Sequence, residues 1–127
     1  MTTIENAVGK YFEDCRNGCN NLILCEDLFK AVGRNDKMFI MDIRKKEDYE
    51  IGHIENAVNI FWYEVDEFLD VLPKDEKIIV VCYSGQSAGQ VVSLLKILGF
   101  DACALKGGML NGWSQTDFPI EAGCGWE

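Results

Sequence analysis

Lys77-Ile78-Ile79-Val80-Val81-Cys82-Tyr83-Ser84-Gly85-Gln86-Ser87-Ala88-Gly89 is the stretch whose reading decides the fold. Its first five residues form a short β-branched run of the kind found in a buried strand. Ala88, Val91, Val92, Leu95 and Leu98 then recur at helical spacing. The pattern predicts strand, loop and helix, with Cys82 where the sheet ends and the helix begins. That carboxyl edge is where open α/β sheets bind their ligands. Backbone amides from Tyr83 to Ala88 can turn inward around the sulfur, and the helix N-terminus adds partial positive charge, so the site favours an anion.

Outward from this stretch, the pattern alternates. Thr2-x-x-Glu5 has the form of a capping box, and Ile4, Ala7, Val8, Tyr11, Phe12 and Cys15 lie on one stripe, predicting a first helix over about 3–16. Gly18 and the asparagines around it end that helix. Glu26 to Val32 reads as a second helix and Met38 to Met41 as a strand covered on both faces. Glu47 to Ile51 is a helical turn, Ala57 to Ile60 a strand, and Glu64 to Leu72 an acidic helix halted before Pro73. Ala102 to Leu105 is the last strand, Gly107-Gly108 turns the chain into a short helix through Trp113, and Pro119 onward reads as a surface tail. Strands alternating with helices at this pitch predict an α/β domain, with a mostly parallel sheet flanked by helices on both faces and an N-terminal helix added. The stripe of that first helix is expected to cover the domain's own surface, with a dimer or partner contact as the alternative.

The chain has 127 residues, 48% of them hydrophobic, enough for one domain with one core. No apolar stretch approaches the roughly 20 residues that span a bilayer. Met1-Thr2-Thr3-Ile4-Glu5 lacks the basic start and apolar centre of a secretion signal, so the expectation is a cytoplasmic protein. Twelve basic against twenty-one acidic residues, net −9, oppose nucleic acid and anionic membranes as partners. Six cysteines, at 15, 19, 25, 82, 103 and 124, read as thiols rather than disulfides in that compartment. Their spacing, with His53 as the single histidine, matches no structural zinc site, so no metal is expected.

Three segments then match one family in order and spacing. They are Asp42-Ile43-Arg44-x4-Tyr49-x2-Gly52-His53-Ile54-x2-Ala57-x-Asn59-Ile60, Cys82-Tyr83-Ser84-Gly85-Gln86-Ser87, and Leu105-Lys106-Gly107-Gly108-x4-Trp113. Together they resemble the single-domain rhodanese-like sulfurtransferases. The resemblance covers about 23–120, leaving 1–22 as an N-terminal helical extension and 121–127 as a C-terminal tail. It implies a rhodanese-like fold around a five-stranded, mainly parallel sheet, and a cysteine at position 82 that becomes a persulfide during turnover without any cofactor. Asn56 departs from the family pattern, which often has Gly or Pro there.

Sulfur transfer requires a thiolate, because the thiol is a poor nucleophile. Cys82 is the expected nucleophile and persulfide carrier. Tyr83, Ser84, Gly85, Gln86, Ser87 and Ala88 form the loop that holds the anionic sulfur. Its partners would be a small-molecule or protein-bound sulfur donor and a thiol or cyanide-type acceptor. A cysteine-dependent phosphatase needs a wider loop closed by an arginine that grips phosphoryl oxygens. Ser87 and Ala88 stand there instead, and the next basic residue is Lys96. The loop carries no charge, so Arg44 and Lys106 are the candidate cations for an anionic donor such as thiosulfate. In the family an arginine at position 44 commonly pairs with carboxylates. His53 is expected to tie a turn to the sheet, Asp42 to bind backbone amides or Arg44, and Tyr49 and Trp113 to fill the core. Cys103 reads as a small buried hydrophobe, and Cys124, Cys15 or Cys19 as candidate resolving thiols. Two other functions fit the same residues: a binding or regulatory module, and a redox or sulfide sensor in which Cys82 pairs with a second cysteine.

Overall fold

The computed structural model describes residues 2–123. Helix α1 (Thr3–Arg16) begins at the expected capping box, where the Glu5 amide donates to Thr2 Oγ1 at 3.0 Å. It leads to β1 (Leu22–Ile23), α2 (Cys25–Gly33), β2 (Met38–Asp42), α3 (Lys46–Ile51) and β3 (Val58–Asn59). A 3-10 segment (Trp62–Phe68) precedes β4 (Lys77–Val81), α4 (Gln86–Ile97) and β5 (Ala102–Leu105). The five strands form one sheet in the order β1-β5-β4-β2-β3, and every pairing is parallel. The longest strands, β2 and β4, lie side by side, with Asp42 opposite Val81.

Side-chain alternation along β4 divides the core into two layers. Ile78, Val80 and Cys82 join Ala88, Val91, Val92 and Leu95 of α4 and Val65 of the 3-10 segment on one face. Ile79 and Val81 join Leu28 of α2, Tyr49 of α3 and Trp113 on the other. A fully buried Leu, Ile or Val contributes about 1.5–3 kcal/mol. Ile78, Ile79, Val80 and Val81 are all at 0% exposure, so β4 is the most strongly held element and Cys82 is fixed at its end.

Several local readings change. The segment expected as a helix over 64–72 is a 3-10 turn that begins earlier, at Trp62, and stops at Phe68. Residues at i and i+3 eclipse in that geometry, which sets Val65 and Phe68 over the same core layer. The strand expected over 57–60 narrows to Val58–Asn59, because Asn56 takes a left-handed backbone (φ 69°) and makes a turn that only ends at Ala57. Asparagine is among the few residues other than glycine that tolerate this conformation. The short helix expected after Gly107-Gly108 is a single π-type turn, Gly108–Gly112, followed by a 3-10 turn over Trp113–Gln115. The start of the C-terminal tail is docked rather than loose. Glu121 pairs antiparallel with His53, and the Gly123 amide donates to the Glu50 carbonyl at 2.8 Å. Cys124 lies outside the described residues.

Helix α1 runs beside α4, with the Tyr11 hydroxyl 3.1 Å from Ser93 Oγ. Its apolar stripe is divided: Ala7, Val8 and Tyr11 are half-buried, whereas Ile4, Phe12 and Cys15 are exposed. Among the described residues, no helix is long and apolar enough to cross a membrane.

Candidate active site

The site is assembled where β4 ends. Cys82 is 2% exposed, and its Sγ accepts hydrogen bonds from the amides of Gly85 at 3.0 Å and Ala88 at 3.3 Å. Two donors aimed at one sulfur stabilise negative charge on it, and the N-terminus of α4 adds to the effect. Gly85 makes this loop feasible. Its φ of 101° turns the amide back onto the sulfur, a conformation that L side chains rarely adopt. Gln86 and Ser87 occupy the first turn of α4, so their amides have no partner within the helix, and no acceptor meets them among the described residues. They remain available to an additional anionic atom beyond Sγ.

The loop is braced from behind by the turn after β5. The amides of Met109 and Leu110 donate to the Cys82 and Tyr83 carbonyls at 2.8 and 2.7 Å. This approach requires a glycine at 108. A Cβ there would stand 2.5 Å from the Cys82 carbonyl oxygen and 2.7 Å from the Tyr83 carbonyl carbon, at a φ of 60°. Gly108→Ala is therefore expected to destabilise the protein by about 2–4 kcal/mol and to slow sulfur loading at least tenfold, by displacing the loop. Urea unfolding and single-turnover loading measure the two effects.

In front of the loop lies a cavity of about 310 Å³ lined by Trp62, Tyr83, Ser84, Gln86, Ser87 and Gln90. None of these side chains is charged at neutral pH. A larger depression, about 830 Å³, runs along the β3 side past Phe39, Val58, Phe68 and His53, but it contains no residue of the Cys82 loop. The smaller cavity is the candidate site, because residues of the Cys82 loop line it.

The two candidate cations do not meet in this cavity. The Arg44 guanidinium is 6% exposed and forked onto Asp42, from Nε to Oδ1 at 3.0 Å and from Nη2 to Oδ2 at 2.8 Å, and Nη2 also donates to the Gly52 carbonyl at 2.7 Å. The pair sits at the carboxyl edge of β2, where Asn59 Nδ2 bridges the Asp42 and Arg44 carbonyls at 3.0 and 2.9 Å. Lys106 follows β5 with an exposed side chain. Its backbone amide donates to the Ile23 carbonyl at 2.9 Å.

His53 is 1% exposed, and its Nδ1–H donates to the Tyr49 carbonyl at 2.8 Å. The ring stacks on Tyr49 at 3.8 Å, and the Tyr49 hydroxyl in turn donates to the Ala57 carbonyl at 2.6 Å. These contacts tie α3 to the turn before β3. His53→Gln is expected to lower stability by about 1–3 kcal/mol and to leave sulfur loading within about twofold. A selective collapse of loading in a stably folded variant would overturn this.

The remaining thiols differ in environment. Burial pushes the Cys103 thiol up to about 11, so it stays protonated and unreactive at neutral pH. Desolvation also raises Cys25, whose Sγ–H points to the Lys106 carbonyl at 3.8 Å. Cys15 and Cys19 are exposed free thiols.

Trp62, Gln90 and the brace at Met109 and Leu110 were not evident in the sequence. Gln90 lies one helical turn beyond Gln86, which is the signal that places it on the loop side of α4. Asp48 is also part of this region: the Tyr83 hydroxyl donates to its carboxylate.

The chain is similar in sequence and fold to known proteins. The chain is 33% identical over 88 residues to the thiosulfate sulfurtransferase GlpE of Actinobacillus pleuropneumoniae, covering 68% of this chain and 81% of the relative. It is 28% identical over 89 residues to the putative sulfurtransferase YtwF of Bacillus subtilis, covering 70% and 86%. Among solved structures, a rhodanese-related protein from Thermoplasma volcanium superposes with a TM-score of 0.73 at 26% identity, covering 80% of this chain and 97% of that one. A rhodanese-like domain protein from Staphylococcus aureus gives 0.71 at 27%, with the same coverage. The family model described as the rhodanese-like domain matches residues 25–116, from the start of α2 to just past Trp113. That span takes in all three motif segments and most of the chain, and the protein belongs to the rhodanese-like domain family.

Proposed function

We propose that the protein is a sulfurtransferase that carries a sulfane sulfur on Cys82, taking it from thiosulfate or a persulfide and passing it to a thiol or to cyanide. The observation that carries this reading is the Cys82 sulfur itself, which receives two amide hydrogen bonds and has two further unpartnered amides ahead of it. Such a cradle fits one sulfur plus one more anionic atom. It has no arginine with which to hold a phosphoryl group. The sulfurtransferase names of relatives at similar length support the same chemistry.

In the first half-reaction the Cys82 thiolate attacks the outer sulfur of the donor. With a persulfide R–S–SH, a new S–S bond forms to that sulfur, the donor's own S–S bond breaks, and RS⁻ leaves. With thiosulfate, sulfite leaves instead and the terminal sulfur stays as the Cys82 persulfide anion. The amides of Gln86 and Ser87 then stabilise the outer sulfur, as preorganised donors do wherever charge develops. In the second half-reaction an acceptor thiolate or cyanide attacks the outer sulfur and Cys82 returns as thiolate. No general base is needed in either direction.

Separate incubation with thiosulfate, a small thiol persulfide and a mercaptopyruvate-type donor tests the reading. At least one should leave a single added sulfur atom on the Cys82 peptide by mass spectrometry, and excess thiol or cyanide should remove it. Inertness towards all three would refute the proposal.

A further inference from the structure

We propose that Asp48 sets the donor preference of Cys82, disfavouring dianionic donors such as thiosulfate in favour of alkyl persulfides, and that Tyr83 is the positioning residue that holds this carboxylate beside the mouth. The inference rests on the sulfur-transfer reading above and assigns its donor class.

Several observations converge on it. Tyr83 is the loop residue directly after the nucleophile and lines the cavity, and its hydroxyl donates to Asp48. A phenol has one proton to give. With that proton committed to the carboxylate, Tyr83 offers an incoming anion lone pairs instead of a donor. Burial, and next the hydrogen bond to Asp48, push the Tyr83 phenol up, so it remains neutral.

The surrounding charges leave Asp48 uncompensated. Arg44 is neutralised by Asp42 in a buried bidentate pair. Lys46 faces Glu50 at 3.8 Å. Lys45 presents its backbone amide 3.5 Å from the Tyr83 hydroxyl, but its side chain is exposed and makes no ion pair among the described residues. Asp48 is half-buried, so its charge is less screened than that of Lys45. The first turn of α4 contains neither acidic nor basic residues, and the cavity wall is uncharged.

The two donor classes differ in the charge they bring. Thiosulfate brings two negative charges to a thiolate, and the sulfite that leaves carries both. A protonated alkyl persulfide brings none, and the single charge moves from Cys82 to the leaving thiolate. Amides and a helix N-terminus suffice for the second case, whereas the first calls for a full cation at the mouth and meets a carboxylate.

The test compares single-turnover loading of Cys82 by thiosulfate and by hydroxyethyl persulfide, which carries no charge away from its sulfur. Asp48→Asn is expected to raise the thiosulfate-to-persulfide rate ratio about five- to twentyfold. Asp48→Glu should keep it within about twofold of the wild type, and Tyr83→Phe should raise it partway by releasing the carboxylate to solvent. Added salt should raise the ratio in the wild type and raise it less in Asp48→Asn. An unchanged ratio and salt slope in Asp48→Asn would overturn the inference while leaving sulfur transfer intact. A larger fall in the ratio on Lys45→Gln than the rise on Asp48→Asn would also overturn it, by giving the role to the lysine. Failure of both donors to load the wild type would refute the sulfur-transfer reading itself.

Discussion

Cys82→Ser is expected to abolish sulfur loading, with a loss of at least a thousandfold in single turnover, while the protein unfolds in urea within about 1 kcal/mol of the wild type. The reason is local. The hydroxyl retains the position and the amide partners of the sulfur, but serine has no base nearby to ionise it and forms no persulfide. Mass spectrometry after donor incubation should find the added sulfur on no other peptide at a comparable rate. Cys103 is held protonated by burial, and Cys15 and Cys19 lie exposed on the chain before β1 without the amide cradle. Loading that persists in Cys82→Ser would move the chemistry to another thiol and refute the mechanism.

Arg44→Met is expected to have the largest effect on stability, a loss of about 3–5 kcal/mol by urea unfolding, because it strands the Asp42 carboxylate at 1% exposure. Asp42 would keep one partner, the Arg44 backbone amide at 3.0 Å, and lose the bidentate fork. The Gly52 carbonyl would also lose its donor. Removing both charges together, in Asp42→Leu/Arg44→Met, should regain more than half of that loss, since paired removal leaves no buried ion alone. A loss below about 1 kcal/mol in Arg44→Met would show that the pair is not a structural tie. The same geometry commits the Nε and Nη2 donors of Arg44 to Asp42 and Gly52, and Arg44 does not line the cavity in front of the Cys82 loop.

How far the sequence could be read depends on the separation of the residues involved. The cradle was legible because Lys77 to Val81, the loop and the helix that follows are contiguous, and both amides on the sulfur lie within six positions of Cys82. The α/β order was legible for the same reason, since each strand and helix carries its own apolar pattern. Strand β1 was not, because two residues at a sheet edge are too short to show any period. The 3-10 segment escaped because its 3.0-residue repeat and an acidic helix share the same apolar positions over one turn. The mouth was the least legible part. Trp62 reaches it from the segment after β3, the brace comes from the turn after β5, and Tyr83 and Asp48 are 35 residues apart in the chain. Such neighbours are set by parallel register, which brings the carboxyl ends of distant strands to one edge and leaves no local trace.

The parity of β4 has a bearing on how long a loaded sulfur survives. Cys103 on β5 is paired with Ile79, three residues before Cys82, a displacement of about 10 Å along the strands. The odd offset places the two thiols on opposite faces, each within its own core layer. The sheet is thus a partition between them, and a sulfur carried on Cys82 as proposed would be shielded from this neighbouring thiol. Under the proposed chemistry its acceptor would enter from the cavity lined by Trp62 and Gln90.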